Sequence, residues 1–451
     1  MLMRIDLAGK YDVPAPRYTS YPTVPQWEGW DAASWPVAVS DAYHSGNKSL
    51  DLYIHLPFCE SLCTYCACNT RITKNHSVES PYLEQLLKEW KMYVEIIGEK
   101  PRISSIHLGG GTPTFFSPEN LGNLINTIKE NSIVLENAEM SFEAHPANTT
   151  SEHLQTLASH GFNRLSIGVQ DFNPEVQRLI HRVQTQDQVQ SLTTLSRILQ
   201  YNSINFDLIY GLPGQTLDSI SETINIVTRM RPDRIAFYSY AHVPWIRPGQ
   251  RAYTDSDIPV GAEKRKLYET GRKILEDAGY IEIGLDHFAL PGDELLLAAV
   301  NGKLHRNFMG YTTRETKLLI GLGVSAISDA GTMYAQNRKK LEEWSADIED
   351  GKSANFRGHT MTTEDTILRK HIMNIMCKGE TSWKNPEDSV DYIKEAVSKL
   401  SALQEDKLVT ISDSGTKLTL AGRPFLRNAG LCFDARQARS ESGSRIYSTT
   451  A

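Results

Sequence analysis

Six short apolar runs recur along the first half of the chain, at residues 50–56, 103–108, 139–144, 164–169, 204–210 and 233–241. Their length and their Val, Ile, Leu and Phe content fit buried strands. Each of the first five leads into a stretch whose apolar residues recur at three or four positions. Residues 81–97 carry Leu83, Leu86, Leu87, Trp90 and Tyr93 on one face. Residues 120–131, 151–160, 174–180 with 185–201, and 216–230 repeat that period. Apolar faces with this spacing predict amphipathic helices. Strand–helix alternation of this kind predicts a parallel sheet. Six units are two fewer than the eight of a closed barrel, so an open, partial barrel fits. The alternation alone leaves a flat doubly wound sheet equally open.

The flanks read differently. Residues 1–47 are rich in Pro, Tyr and Trp, and prolines at 14, 16, 22 and 25 forbid a continuous helix across them. An extended N-terminal arm lying on the main body is expected. Tyr18 and Tyr21 either anchor it or make it a lid over a cleft. Past the sixth strand, 260–278 reads as a helix and 280–286 as a strand. Residues 304–313 read as a polar–aromatic loop, and 321–328 as a glycine-punctuated apolar segment. From about Arg357 the pattern becomes helix (362–377), helix (387–403), hairpin (407–420) and helix (421–433). The expected division is therefore an arm at 1–47, a barrel with its extension at 48–356, and a mostly helical, winged-helix-like domain at 357–451.

The chain's 451 residues exceed one ordinary domain, and its 40% hydrophobic content is enough for a full core. A net charge of −7 argues against nucleic acid as a partner, the winged-helix pattern notwithstanding. No apolar run approaches the roughly 20 residues that span a bilayer. Residues 1–10 lack the apolar core of a secretory signal. A cytoplasmic monomer without membrane contact is expected.

Chemistry concentrates after the first strand. Four of the six cysteines, Cys59, Cys63, Cys66 and Cys68, fall within ten residues. Disulfides do not suit a chain that is not exported. Zinc sites commonly separate their ligand couples by a longer loop. Thiolates at short spacing in a loop suit an iron–sulfur cluster. The Cys-x3-Cys-x2-Cys of Cys59, Cys63 and Cys66 offers three sulfurs to a four-iron cluster and leaves one iron open. Polar and glycine positions end the other strands: Gly109–Thr114, Glu143, Gln170, Asp207 and Tyr240–His242. Parallel α/β folds build their sites at that edge. Three glycines could make only a tight turn, and Glu143, Asp207 and Arg182 could be ordinary salt-bridge partners. Beside a cluster, the glycines allow close backbone approach to a ligand, the carboxylates suit ribose or ammonium groups, and Arg182 suits a carboxylate.

The cysteine spacing, with Tyr65 just before Cys66, resembles the radical S-adenosylmethionine (SAM) superfamily. Several further segments narrow the resemblance to the oxygen-independent coproporphyrinogen III oxidases. They are Pro16-Arg-Tyr-Thr-Ser-Tyr-Pro-Thr23, Cys59 to Asn69, Gly161 to Phe172, Asp207-Leu-Ile-Tyr-Gly-Leu-Pro213, His305-Arg-Asn-Phe, Gly310-Tyr-Thr-Thr313 and Cys432-Phe-Asp434. The resemblance implies a 4Fe-4S cluster on Cys59, Cys63 and Cys66, with Cys68 needed for activity but not a ligand. It implies that Tyr53, Tyr65, Gly110, Glu143 and Ile327 contact the cluster-bound SAM. Gly111, Thr112, Gln170, Arg182, Asp207 and Ala241 match positions that contact a second SAM. It implies a partial barrel, and the anaerobic decarboxylation of two propionates of a tetrapyrrole to vinyl groups, yielding protoporphyrinogen IX. A reductant protein and an electron acceptor are implied partners. Arg17 and Arg306 are candidates for the substrate's carboxylates. Met309 stands where Gln is usual in this family, and His145 where Asp is usual. The rival readings are a haem-binding chaperone and a haem-degrading radical SAM relative. Cys68, the N-terminal arm and the long C-terminal region favour the oxidase.

Overall fold

The computed structural model describes residues 5–245, 247–440 and 447. The first four residues of the expected arm, and most of the last eleven of the expected C-terminal domain, lie outside them. One twelve-stranded sheet organises the chain. Its centre holds six parallel strands in chain order: β1 (Leu50–Leu56), β2 (Arg102–Gly110), β3 (Ile133–Ala144), β4 (Arg164–Gln170), β5 (Ser203–Tyr210) and β6 (Arg234–Ser239). They are the six strands expected from the apolar runs. A seventh, β7 (Leu319–Leu322), pairs parallel to β1 on its other side. The two edges of the sheet, Asn355–Thr360 and Ile281–Gly284, are not paired with each other, so the parallel arc stays open.

The helices between the strands form where the 3.6-residue period placed them. α1 (Glu79–Ile97) buries Leu83, Leu86, Trp90 and Tyr93 against the sheet. α2 (Pro118–Glu130), α3 (Ser151–Ser159), α4 (Gln186–Ile198) and α5 (Leu217–Met230) follow in turn. The last four start at caps: the side chains of Ser117, Thr150, Thr185 and Thr216 each accept an N–H of the first turn. One continuous apolar core, including Leu52, Ile54, Ile106, Phe142, Ile167, Phe206 and Phe237, lies between sheet and helices.

Several expectations need correction. The arm is not simply extended: Ile5–Tyr11 and Trp35–Ser45 are helices. The first contains no proline. The second has Pro36 in its first turn, where the missing N–H has no intrahelical partner to lose. Residues 304–313 are not a loop but a two-stranded ladder, His305–Asn307 against Gly310–Thr312, turning at Gly310 with φ +120°. The glycine-punctuated segment 321–328 holds the end of β7 and the start of the antiparallel strand Ile327–Asp329. The boundary expected between 356 and 357 cuts through strand Asn355–Thr360, which pairs with Met333–Asn337 in the large sheet. The sheet therefore ends at Thr360.

Beyond it, Thr363–Lys378, Tyr392–Glu405 and Leu426–Leu431 are helices, and a small three-stranded sheet includes the hairpin Val409–Ser412 with Gly415–Leu418. The arm docks here. Tyr18 and Tyr21 are fully buried among Leu368, Ile372 and Phe433. The Tyr18 hydroxyl donates to Asp434 (3.1 Å), and Arg427 donates to the carbonyls of Ala15 and Pro16.

A buried carboxylate ties α1 to the turn after β7. Glu89 accepts from the Gly323 N–H (2.7 Å), Asn337 Nδ2 (2.6 Å) and the Trp344 indole (3.3 Å). Burial pushes its carboxyl up to about 7, against the pull of those three donors. A folded-state value above the ordinary 4.5 means that the protonated form is the better fit. The stability from this site is therefore whole below about pH 4.5 and is lost as pH rises through about 7, by on the order of 3 kcal/mol. Urea unfolding at pH 5 and 7.5 should show the unaltered protein losing this increment relative to Glu89→Gln; parallel pH dependence in the two proteins would exclude it.

Candidate active site

The C-terminal ends of the parallel strands converge on two adjoining cavities. The first, about 260 Å³, is lined by Cys59, Cys63, Tyr65, Cys66, Cys68, Gly110, Gly111, Thr112, Glu143, His145, Gln170, Arg182 and Asp207. The second, about 470 Å³, is lined by Tyr53, His55, Cys68, Asn69, His107, Gly110, Glu143, Phe308, Met309 and Ile327. Cys68, Gly110 and Glu143 belong to both. Fourteen of the fifteen residues expected to serve the cluster, SAM or the fourth thiol therefore line one or other of these cavities. Ala241 lines neither cavity. It sits just past β6, and its carbonyl accepts from Gln250 Nε2 (3.1 Å), which also reaches the Tyr65 carbonyl (3.2 Å) and ties that segment to the cysteine loop.

The cysteine loop is short because its ends are clamped. Phe58–Cys59 pairs with Arg71–Ile72, and the Gly111 N–H donates to Leu56 O (2.8 Å). A Cβ on Gly111 would lie 2.5 Å from the Pro57 carbonyl oxygen, which explains glycine there. Gly110 has φ +117°, and its Cβ would fall 2.7 Å from the His55 ring. All six cysteines are unpaired. The Cys59 thiol lies 3.3 Å from Thr112 Oγ1, and Arg182 Nη1 reaches Cys63 Sγ at 3.8 Å.

These thiols are not equivalent. The Cys68 thiol donates to Cys66 and holds it down to about 6, while Cys68 itself rises well above the usual thiol range. Burial pushes Cys59 up to about 11. Burial also pushes the Asp207 carboxyl up to about 6, with the Glu143 charge adding to it, against hydrogen bonds from Ser166 (3.0 Å) and Asn205 (2.9 Å). Burial would raise Glu143 as well, but His107 and the Gly110 N–H outweigh it and hold that carboxyl below its ordinary range. The distances are 3.5 Å from His107 Nε2 and 3.2 Å from the Gly110 N–H. His145 is a neutral ring: burial and then Arg182 lower it to about 3, and its Nδ1 accepts the Ala147 N–H. Gln170 ends β4 at φ +66°, a backbone state that non-glycine residues rarely adopt and that recurs at functional sites.

His107, His55 and Tyr238 were not singled out in advance, although they help build the cavity walls. The available signal was polar side chains at alternate positions of otherwise apolar strands: Tyr53 and His55 on β1, His107 on β2. Tyr53 donates to or accepts from His55 Nδ1 (2.9 Å) and stacks on His107 at 5.9 Å.

Comparison with known proteins matches residues 53–227 to the Radical SAM superfamily. The oxygen-independent coproporphyrinogen III oxidase of Salmonella typhimurium is 38% identical over 449 residues, 98% of this chain and 97% of the relative. That of Pseudomonas aeruginosa is 38% identical over 437 residues, 95% of each. The chain belongs to the oxygen-independent coproporphyrinogen III oxidase family. The solved coproporphyrinogen III oxidase (HemN) of Escherichia coli, described as a radical SAM enzyme, superposes with a TM-score of 0.89 at 37% identity, over 93% of this chain and 97% of that one.

The site fits the family's cofactors, a 4Fe-4S cluster and SAM. Arg182 is buried, its Nε has no partner, and among the described residues it forms no ion pair with a carboxylate. A buried guanidinium needs a counter-charge, and a thiolate-ligated cluster bound beside Cys63 would supply one. Glu143 and Asp207, which line the same cavity, add acceptors for hydroxyl and ammonium groups. No described helix is long and apolar enough to cross a membrane.

Proposed function

We propose that this chain is an oxidoreductase that converts coproporphyrinogen III to protoporphyrinogen IX without oxygen, by oxidative decarboxylation of two propionates to vinyl groups. The reading rests on full-length similarity to relatives of that name together with a thiol-lined cavity at the C-terminal ends of the parallel strands. When bound, the cluster and SAM supply a carbon-centred radical able to remove hydrogen from an unactivated carbon. The chain's own work is to hold, orient and shield.

Cys59, Cys63 and Cys66 are the proposed cluster ligands. Tyr53, Tyr65, Gly110, Glu143 and Ile327 are assigned to the cluster-bound SAM. Tyr53 and Ile327 wall the second cavity, while Tyr65 stands among the thiols of the first. Gly111, Thr112, Gln170, Arg182, Asp207 and Ala241 are assigned to a second SAM. All but Ala241 line the first cavity. Met309 lines the second cavity with Tyr53 and Ile327, so its departure from the usual Gln removes a polar group beside the residues assigned to SAM. The neutral ring of His145 leaves Glu143 and Asp207 as the anionic groups of the first cavity's inner wall. The chain divides functionally into the arm at 1–47, the sheet with its extension, and the C-terminal domain. The arm both anchors and covers: Tyr18 and Tyr21 are buried, while Arg17 pairs with Asp286 and lies 5.3 Å from the ring of Tyr238, which lines the first cavity. A reductant protein and an electron acceptor complete the reaction.

The test is an anaerobic product assay on reconstituted protein with SAM, a reductant and coproporphyrinogen III. Protoporphyrinogen IX and carbon dioxide are the expected products. Stable haem binding without turnover would instead make the chain a haem carrier.

A further inference from the structure

The cysteine loop has an outer face as well as the inner one that lines the first cavity. Three segments hold it from outside. Residues 247–250 run along its length. A Cβ on Gly249 would sit 3.4 Å from Leu62 Cδ2, Gln250 Nε2 donates to the Tyr65 carbonyl (3.2 Å), and Arg247 Nη1 donates to the Cys68 carbonyl (3.4 Å). The Thr64 N–H donates to Ile180 O (3.0 Å) and its hydroxyl to Leu179 O (3.3 Å), which brings the segment ending in Val183 alongside. At the far end Asn69 Nδ2 donates to Lys339 O (2.9 Å).

The loop and these segments leave large apolar side chains in solvent. Leu62, between Cys59 and Cys63, is 45% exposed, Trp245 54% and Val183 69%. Of the chain's seven tryptophans, all described, only Trp245 is exposed. Exposed apolar side chains gathered beside a functional site mark an interaction surface. The charges around them have one sign. Among the described residues Lys74, Arg247, Arg251 and Lys339 pair with no carboxylate, whereas the acidic side chains of the adjoining segments are engaged. Glu60 faces His76 (3.6 Å), Glu342 pairs with Arg71 (3.2 Å) and Glu343 with Lys340 (2.6 Å). Asp255 faces His242 (3.4 Å), and Asp257 accepts the Thr254 N–H (2.8 Å). Arg247 and Lys339 feel one another: burial, then Arg357 and Arg247, lower the proton affinity of Lys339. On a chain of net charge −7 this is a local reversal of sign. An apolar centre ringed by unpaired cations matches a partner whose contact face is apolar with an acidic rim.

We propose that the outer face of the cysteine loop, Leu62 with Trp245, Val183, Arg247, Arg251 and Lys339, is the docking surface for the reductant, a small acidic one-electron carrier protein. This rests on the function proposed above and gives its reductant a place on the molecule. One electron leaves the carrier, which is oxidised by one, and enters the cluster behind the loop, which is reduced by one; no covalent bond of either protein forms or breaks. The cations steer the approach, and Leu62 and Trp245 supply the desolvated centre of the contact.

The test pairs the anaerobically reconstituted full-length protein with flavodoxin, a small acidic protein whose reduced flavin gives up one electron. Calorimetry reads binding, and stopped-flow absorbance reads reduction of the cluster. The double variant Arg251→Glu, Lys339→Glu alters two exposed side chains. At low salt it should bind flavodoxin at least about tenfold more weakly and be reduced by it at least about tenfold more slowly. That gap should narrow as salt is added, because screening weakens the attraction it removes. Trp245→Ala should weaken binding at every salt concentration. Dithionite, which needs no docking, should reduce all of these proteins equally fast. The control Lys384→Glu, Lys394→Glu makes the same change in net charge at exposed positions of the C-terminal domain and should match the unaltered protein. Undiminished binding by the first double variant, or an equal loss in the control, overturns the inference. Slowed reduction by dithionite does so too, since the effect would then lie in the cluster. So does an unaltered protein that dithionite reduces and flavodoxin does not. The proposed function is judged apart from all of these, by product formation with dithionite as the sole reductant.

Discussion

Cys63→Ala is expected to empty the site of iron. The Cys63 thiol faces the first cavity and is approached by the buried Arg182 at 3.8 Å. A cluster held by three sulfurs in one short loop has no spare ligand there. The fourth thiol of the loop, Cys68, is exposed and lines both cavities. After anaerobic reconstitution, iron should fall from about four atoms per chain to less than about one. The electron paramagnetic resonance signal of the reduced cluster should disappear. Product formation should drop by at least about 10⁴-fold, a barrier increase of roughly 5 kcal/mol. The loss of Arg182's counter-charge should leave the variant less stable as well, because an unpaired buried guanidinium is costly. Full iron content with turnover would remove Cys63 from the cluster and undo the assignment of all three ligands.

Cys68→Ser is expected to separate the cluster from the chemistry. Cys68 is exposed where Cys59, Cys63 and Cys66 are partly buried, and it lines both cavities. A serine there keeps the backbone and a donor for Cys66 but not the sulfur. Iron content and SAM binding should therefore remain near those of the unaltered protein. Decarboxylation should fall by at least about 10³-fold, on the order of 4 kcal/mol. Loss of iron would show that Cys68 is a ligand after all. Retained activity would show that its sulfur is dispensable. The pair of variants thus distinguishes holding the cluster from using it.

Much of the barrel was readable from local pattern. The six parallel strands lie where the apolar runs are, because a central strand covered by helices draws its buried positions from Val, Ile, Leu and Phe. The helices lie where the 3.6-residue period is. The cysteine spacing and the strand-end positions of Glu143, Gln170 and Asp207 marked the rim, since a parallel sheet brings one edge of every strand to the same side. The misreadings fall where long-range pairing overrides local signal. His305–Asn307 and Gly310–Thr312 are three-residue strands, too short for periodicity to declare. Asn355–Thr360 reads as the start of a new region but adds to the sheet through its ladder with Met333–Asn337. The helix Trp35–Ser45 was hidden by a proline-rich neighbourhood, although its own proline sits in the harmless first turn.

Within the site, alternation along β1 and β2 carried an unused signal for Tyr53, His55 and His107. No local pattern could pair His107 with Glu143 or bring Arg182 to Cys63, 119 residues away.

What the amino-acid order determined unaided was the repeated strand–helix unit and the loop of closely spaced thiols, both products of neighbours within a few positions. The fold alone decided which charges are left without partners and which walls they share. Electrostatic pairing depends on distance in space, and only the closed ladders of the sheet set those distances.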